Sequence, residues 1–294
     1  MKELHGVMER QIRSNRNANL FCSGEAIPLA FTPETIESLK DKEFARSFDE
    51  SLMEYVVQRV LEEFCYTNQF YSFDAAAKGT LKVIYRALAA DISARSPNFA
   101  KISREHYARL AKWLQATNKF SKDLYSSKAT HVTPAVCSEY SADFQLHTLG
   151  ISLCEINDPV LDIGCGRQGN LVRYFKSQGF DAYGIDRFQS GEETLIKADW
   201  LEYDYGEKKW GLIISNMGFS NHFRNHDLRE DGNHVAYART YMSILRSLKP
   251  GGKFIYAPTL PFIERYLDAK SYSIAYQPSQ NQDLQVATIK RASK

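Results

Sequence analysis

The chain has 294 residues, 44% of them apolar and 24% charged. That is enough for one large domain or two modest ones, and it excludes a disordered, collagenous or disulfide-stapled chain. Lys and Arg total 37 against 35 Asp and Glu, a net charge of +2, so no global field points to a nucleic-acid or membrane partner. No apolar run approaches the roughly 18 residues of a membrane span, and Met1-Lys2-Glu3-Leu4-His5 lacks the pattern of a signal peptide, so a cytoplasmic location is expected. The cysteines Cys22, Cys65, Cys137, Cys154 and Cys165 are scattered and never spaced C-x-x-C, which argues against a disulfide framework or a zinc site. His222 and His226 are four apart, but no Glu follows His222, so no metal is expected there either.

Residues 1–130 read as helices joined by short turns. Leu4, Val7, Met8 and Ile12 recur with helical spacing, as do Leu52, Tyr55, Val56, Val60 and Leu61, and then Tyr107, Leu110, Ala111 and Leu114. Ser103 is the expected N-cap of the last of these helices, and residues 67–69 and 96–98 are expected connections. From residue 131 the pattern changes. Thr133-Pro134 reads as a cap and first helical position, with a helix to about Leu149. Short β-type segments at 160–163, 182–185, 195–198, 212–215 and 253–256 then alternate with helical ones, which predicts a parallel sheet covered on both faces. Two further strand candidates, 272–276 and 284–289, predict a terminal hairpin. The expected fold is therefore a doubly wound α/β domain at 131–294, preceded by an all-helical domain at 1–130.

The most informative stretch is Val160-Leu161-Asp162-Ile163-Gly164-Cys165-Gly166-Arg167-Gln168-Gly169. A buried strand runs into a glycine turn, where missing side chains let backbone amides approach a ligand closely. The next strand ends on Asp186, an acid placed to bind ribose hydroxyls. By itself Gly164-x-Gly166-x-x-Gly169 is ambiguous with a dinucleotide fingerprint. Asp162, two residues before the first glycine, separates the readings, because an anionic side chain there repels a pyrophosphate and can pair with an ammonium group.

At these residues the chain resembles class I S-adenosylmethionine-dependent methyltransferases, over residues 131–294. The resemblance implies a seven-stranded Rossmann-like methyltransferase sheet that binds S-adenosylmethionine and releases S-adenosylhomocysteine. It carries over a set of cofactor contacts: Asp162, Gly164, Cys165 and Gly166 in the first motif, and Asp186 with Arg187 after the second strand. Asp199 and Trp200 would meet the adenine, and Asn216 ends the fourth strand beneath the donor. Leu248-Lys249-Pro250-Gly251-Gly252 matches the turn before the fifth strand. One departure is that the third glycine is displaced by one residue, with Arg167-Gln168 between Gly166 and Gly169. Cys165 reads as a small packed residue rather than a nucleophile, and Trp200 reads equally well as core.

A hydroxyl acceptor would need a base. The segment 217–226, read as a loop after the fourth strand, offers His222 first and His226 second, although a histidine in such a place is more often only structural. There is no Pro-Pro motif of adenine amino-methylation after Asn216, and no cysteine nucleophile in that segment for pyrimidine carbon-5 chemistry. O- or N-methylation of a small molecule or peptide is therefore the favoured expectation. Structured RNA stays open as an alternative, because residues 95–128 carry eight basic residues against Glu105 and Asp123, net +6, with Trp113, Phe120 and Tyr125 interleaved. The blander reading of that segment is a set of solvated helices balancing acidic neighbours. A cofactor-binding scaffold without turnover is a third reading. The helical domain would select the substrate, and the oligomeric state is not legible.

Overall fold

The computed structural model describes residues 2–22, 29–41, 49–94, 96–125, 128–135, 139–188, 191–280 and 283–293. Arg95 and Cys137 lie outside them. The chain forms two compact units, Met1–Val136 and Cys137–Lys294.

The first unit is helical: α1 Lys2–Ser14, α2 Pro33–Lys40, α3 Glu50–Thr67, α4 Ala75–Ile92, α5 Phe99–Thr117 and α6 Phe120–Tyr125. Its helices start where a short polar side chain can take an orphan amide. Asp49 accepts from the amide of Leu52, Asp74 from Ala77 and Asn98 from Lys101, at 2.9, 2.7 and 3.1 Å. The expected cap Ser103 is instead buried inside α5, its hydroxyl without a partner. Asn98 wins the capping role because α5 begins at Phe99, five residues before the start that a cap at Ser103 implies. Residues 131–135 belong to this unit. His131 bridges Ala18, and Ala135 bridges Asn68.

In the second unit α7 runs over Ala142–Leu149, capped by Ser141, whose hydroxyl accepts from the Phe144 amide at 3.2 Å. A helix from Pro134 is not formed, since residues 134, 135 and 139–141 are non-helical. The strands are β1 Val160–Ile163, β2 Ala182–Asp186, β3 Leu195–Lys197, β4 Trp210–Asn216, β5 Leu248–Ala257, β6 Tyr272–Pro278 and β7 Gln285–Arg291. They form one sheet in the order β3-β2-β1-β4-β5-β7-β6. The first five are parallel, and β7 runs antiparallel between β5 and β6. Residues 249–252 bulge out where the pairing steps from Trp210–Leu248 to Leu212–Lys253, so the expected turn is absorbed into β5.

Helices α8 Asn170–Ser177, α9 Phe219–Leu228, α10 His234–Ser247 and α11 Pro261–Glu264 complete the unit. Leu161, Ile163, Ile213, Phe254 and Tyr256 pack with α9 and α10 on one face. Val160, Leu212, Ile214 and Ile255 pack with α7 and α8 on the other. Burial on both faces explains why β1 and β4 are nearly continuous apolar runs. The segment expected to be a loop after β4 is helix α9 from Phe219 onward. Ser215 makes this so, since its hydroxyl donates to the Ile163 carbonyl at 2.8 Å and accepts from the Phe219 amide at 2.9 Å.

Candidate functional site

The strand order reverses at β1, which has β2 on one side and β4 on the other, and such a switch point opens a crevice at the carboxyl ends of the strands. Asp162 pairs across the sheet with Gly184 and Ile214. With a side-chain period of two, Asp162 and Asn216 therefore project from the same sheet face. Asp162 is 1% exposed. Neither of its carboxylate oxygens has a hydrogen-bond partner, and neither polar atom of the buried Asn216 side chain has one. Burial, and next the charge of Asp186, push the Asp162 carboxyl up to about 7. Buried polar groups are nearly always satisfied, so this pair marks a place built for something the protein itself does not provide.

The turn that follows is set by glycine. Gly164, Gly166 and Gly169 all take positive φ, at +81°, +73° and +58°, where a side chain is strained. A Cβ on Gly164 would lie 3.2 Å from the Trp200 ring and 3.3 Å from the Gly218 Cα, and one on Gly169 only 2.5 Å from Leu195. The displaced third glycine is thus required by packing where α8 begins. The additional loop residue is accommodated by Glu139, whose two carboxylate oxygens accept from the amides of Arg167 and Gln168 at 3.0 Å each. No local pattern marks Glu139 in the sequence; it meets the loop only in the tertiary structure.

Asp186 ends β2 with one oxygen accepting from the Gly166 amide at 3.0 Å and the other from the Phe188 amide at 3.1 Å. Burial raises its carboxyl, opposed by the positive charge of Arg187 and by those two amides. The Arg187 guanidinium lies 5.7 Å from the Phe188 ring centroid. Each oxygen of Asp186 keeps a lone pair for a further donor. Cys165 fills the space above Gly184, where an added Cβ would come within 2.7 Å of its sulfur, and burial holds its thiol protonated. Asp199 is exposed and accepts from the Leu201 amide in its own turn at 2.9 Å.

Trp200 is half-buried against the glycine turn. Its ring meets His222 edge-on, with centroids 4.8 Å apart at 78°, and burial pushes the hydroxyl of nearby Tyr237 up to about 12. His222 lies in α9, is 5% exposed, and is held well below its ordinary pKa by burial and then by the nearby positive charge of Arg187. His226 serves structure, because its Nδ1 accepts from the Asn233 amide at 3.0 Å and its ring stacks on Tyr237 at 4.7 Å. Burial lowers it to about 4. Met217 has φ +56° and donates its amide to the Ala257 carbonyl at 2.9 Å, which turns the chain from β4 into α9. That role is invisible in a methionine codon, since the strain is set by its neighbours.

The basic segment of the first unit has a different inside from the one expected. Trp113 stacks on Phe73 at 4.9 Å and donates to the Ala77 carbonyl at 3.0 Å. Tyr125 is buried and accepts from Asn68 at 2.9 Å. Neither presents a face on which a base could stack. Arg109 pairs with Asp91 at 2.8 Å, while Lys112, Lys119 and Lys122 are exposed.

No family model matches the chain, and no curated protein does. Solved structures do match. The Burkholderia thailandensis 1,6-didemethyltoxoflavin-N1-methyltransferase, solved with its acceptor and S-adenosylhomocysteine, is 20% identical over 51% of this chain and 76% of its own, with a TM-score of 0.35. The N-methyltransferase NodS of Bradyrhizobium japonicum, solved with S-adenosylhomocysteine, is 12% identical over 71% of this chain and 98% of its own, with a TM-score of 0.37. A 4+2 cyclase, SpnF, is 12% identical over 52% of this chain and 80% of its own, also with a TM-score of 0.37. The second unit has the class I methyltransferase fold, read from its own strand order and inserted β7.

Proposed function

We propose that this chain is an S-adenosylmethionine-dependent methyltransferase acting on nitrogen or oxygen of a small molecule. The observation that carries the reading is the unpartnered carboxylate of Asp162 beside the glycine turn. A buried anion without donors is costly, and a bound ammonium with its N–H groups removes that cost. The α-amino group of the amino-acid part of the cofactor supplies such a cation. When bound, S-adenosylmethionine supplies a methyl group on a sulfonium sulfur, ready for transfer to a lone pair.

The chain's residues hold and orient. Asp162 and the Asn216 amide take the amino-acid end, and Gly164 and Gly166 allow backbone contact. Asp186 accepts ribose hydroxyls on its free lone pairs, and Asp199 takes the adenine amino group with its remaining oxygen. Trp200 walls the turn, and its edge-on contact with His222 gives that histidine a positioning role. His222 is neutral at pH 7, the protonation state a base requires, but its strongly lowered basicity gives proton transfer little driving force. Transfer to a neutral nitrogen needs no such base.

Calorimetric titration with S-adenosylhomocysteine tests the reading. The affinity is expected to climb roughly tenfold per pH unit below about 7, as Asp162 ionises, and to level off above it. Absence of binding at pH 7.5 would overturn the proposal.

A further inference from the structure

The helical unit contains its own cavity, of about 150 Å³, lined by residues of α1 to α6 and of the segments between them. A void of that size is large enough to admit a benzene-sized molecule. The wall is mostly apolar and strongly aromatic, with Phe31, Tyr85 and Tyr107 set around His106. The His106 ring meets Tyr85 at 5.1 Å and Tyr107 at 5.3 Å, both edge-on, and Phe31 at 6.4 Å. Among the described lining residues the only formal charges are Arg16 and Glu63, and these neutralise each other through two hydrogen bonds of 2.8 and 2.7 Å.

His106 is 3% exposed and its Nδ1 has no hydrogen-bond partner. Burial lowers its pKa to about 3, so the ring is neutral at any physiological pH. By contrast the side-chain amides of Gln11 and Asn15 on the same wall have partners. Gln11 donates to the Ala30 carbonyl at 3.0 Å and accepts from the Thr32 amide at 2.8 Å, and Asn15 donates to the Tyr107 hydroxyl at 2.6 Å. An apolar, aromatic, charge-compensated cavity with an orphaned imidazole nitrogen on its wall is the pattern of a small-molecule site rather than of a packing defect.

We propose that this cavity binds a neutral, planar aromatic molecule, packed against Phe31, Tyr85 and Tyr107 and hydrogen-bonded through a single N–H or O–H to His106. The helical unit is then a ligand-binding module in its own right. This site is independent of the reading of the second unit, and its test requires no cofactor.

The probes are indole and benzothiophene, which share a shape and differ in the N–H, titrated calorimetrically into the full-length protein. Indole binds saturably and more tightly than benzothiophene, while the anionic indole-3-acetate does not bind. His106→Leu weakens indole about tenfold, the worth of one hydrogen bond, and leaves benzothiophene within about twofold. Leu110→Trp, which fills the cavity, excludes both probes; should that variant not fold, the His106→Leu pair of titrations decides. The proposal is overturned if indole shows no saturable binding to the wild-type chain, or if His106→Leu changes the two probes equally or not at all.

Discussion

Each unit leaves several buried polar atoms unsatisfied, and the one beside each proposed site differs in kind. Near the carboxyl end of the central strand β1 it is a carboxylate, Asp162, beside the glycine turn and a second acid. In the helical unit it is a neutral imidazole, His106, ringed by aromatic carbon. The difference teaches what each place selects. An uncompensated anion calls for a cation and makes ligand-free folding worse as it ionises. A neutral orphan beside a void calls for an uncharged molecule and makes folding worse when it is forced to take a proton.

The largest expected effect breaks this contrast at Asp162. Its folded pKa of about 7 lies above the unfolded value near 3.8, so its contribution is most favourable below pH 3.8 and is lost as pH rises to 7 and beyond. The loss is on the order of 4 kcal/mol. Asp162→Asn should therefore stabilise the ligand-free second unit at pH 8 and leave it nearly unchanged at pH 4, as followed by thermal denaturation. The same variant should lose affinity for S-adenosylhomocysteine by about a hundredfold or more. Destabilisation by this variant at pH 8 would contradict the assignment of an unpaired buried anion.

His106 reverses the sign. Its folded pKa of about 3 lies below the ordinary 6.5, so stability is fully present above pH 6.5 and is lost as pH falls towards 3, again by several kcal/mol. The second unit shares this acid sensitivity through His222 and His226. The informative quantity is therefore the difference between wild type and His106→Leu in acid titrations followed by circular dichroism. The variant should hold its helical signal to lower pH.

A smaller effect sharpens the role of His222. If it positions Trp200, His222→Gln should weaken S-adenosylhomocysteine by about three- to tenfold, about 1 kcal/mol. The pH profile of methyl transfer would be left unchanged. Loss of the acidic limb of that profile, with affinity intact, would instead restore His222 as a base. The smallest effect separates the units. Asn98→Ala, which removes the cap of α5, should cost about 1 kcal/mol in the first unit's unfolding. Cofactor affinity should not move.

Much of the second unit was legible in the sequence because its strands are short apolar runs punctuated by glycine, and each such run could only pair inside a sheet. All seven strand candidates appear within a few residues of their predicted bounds. The errors have local causes. Thr133-Pro134 has cap chemistry but no helix behind it, and Ser103 reads as a cap because periodicity marks a helix's buried turns and not its first one, which Asn98 caps. Residues 217–226 looked like a loop because their polar and aromatic residues alternate without a clear stripe, yet Ser215 nucleates α9 through two hydrogen bonds from the strand before it. The aromatic residues of 95–128 leave a binding face open as an alternative in the sequence, but Trp113 and Tyr125 are buried in the helical unit.

What the sequence alone determined was the glycine turn, the acids at the ends of two strands, and hence the fold and the kind of cofactor it suggests, because backbone freedom and charge spacing are local properties. Only the tertiary structure decided which polar atoms are left without partners, that Glu139 holds the lengthened loop, that His222 stands behind Trp200, and that distant segments of the helical unit line a cavity beside His106. Each of these depends on what distant segments bring to, or withhold from, a buried atom.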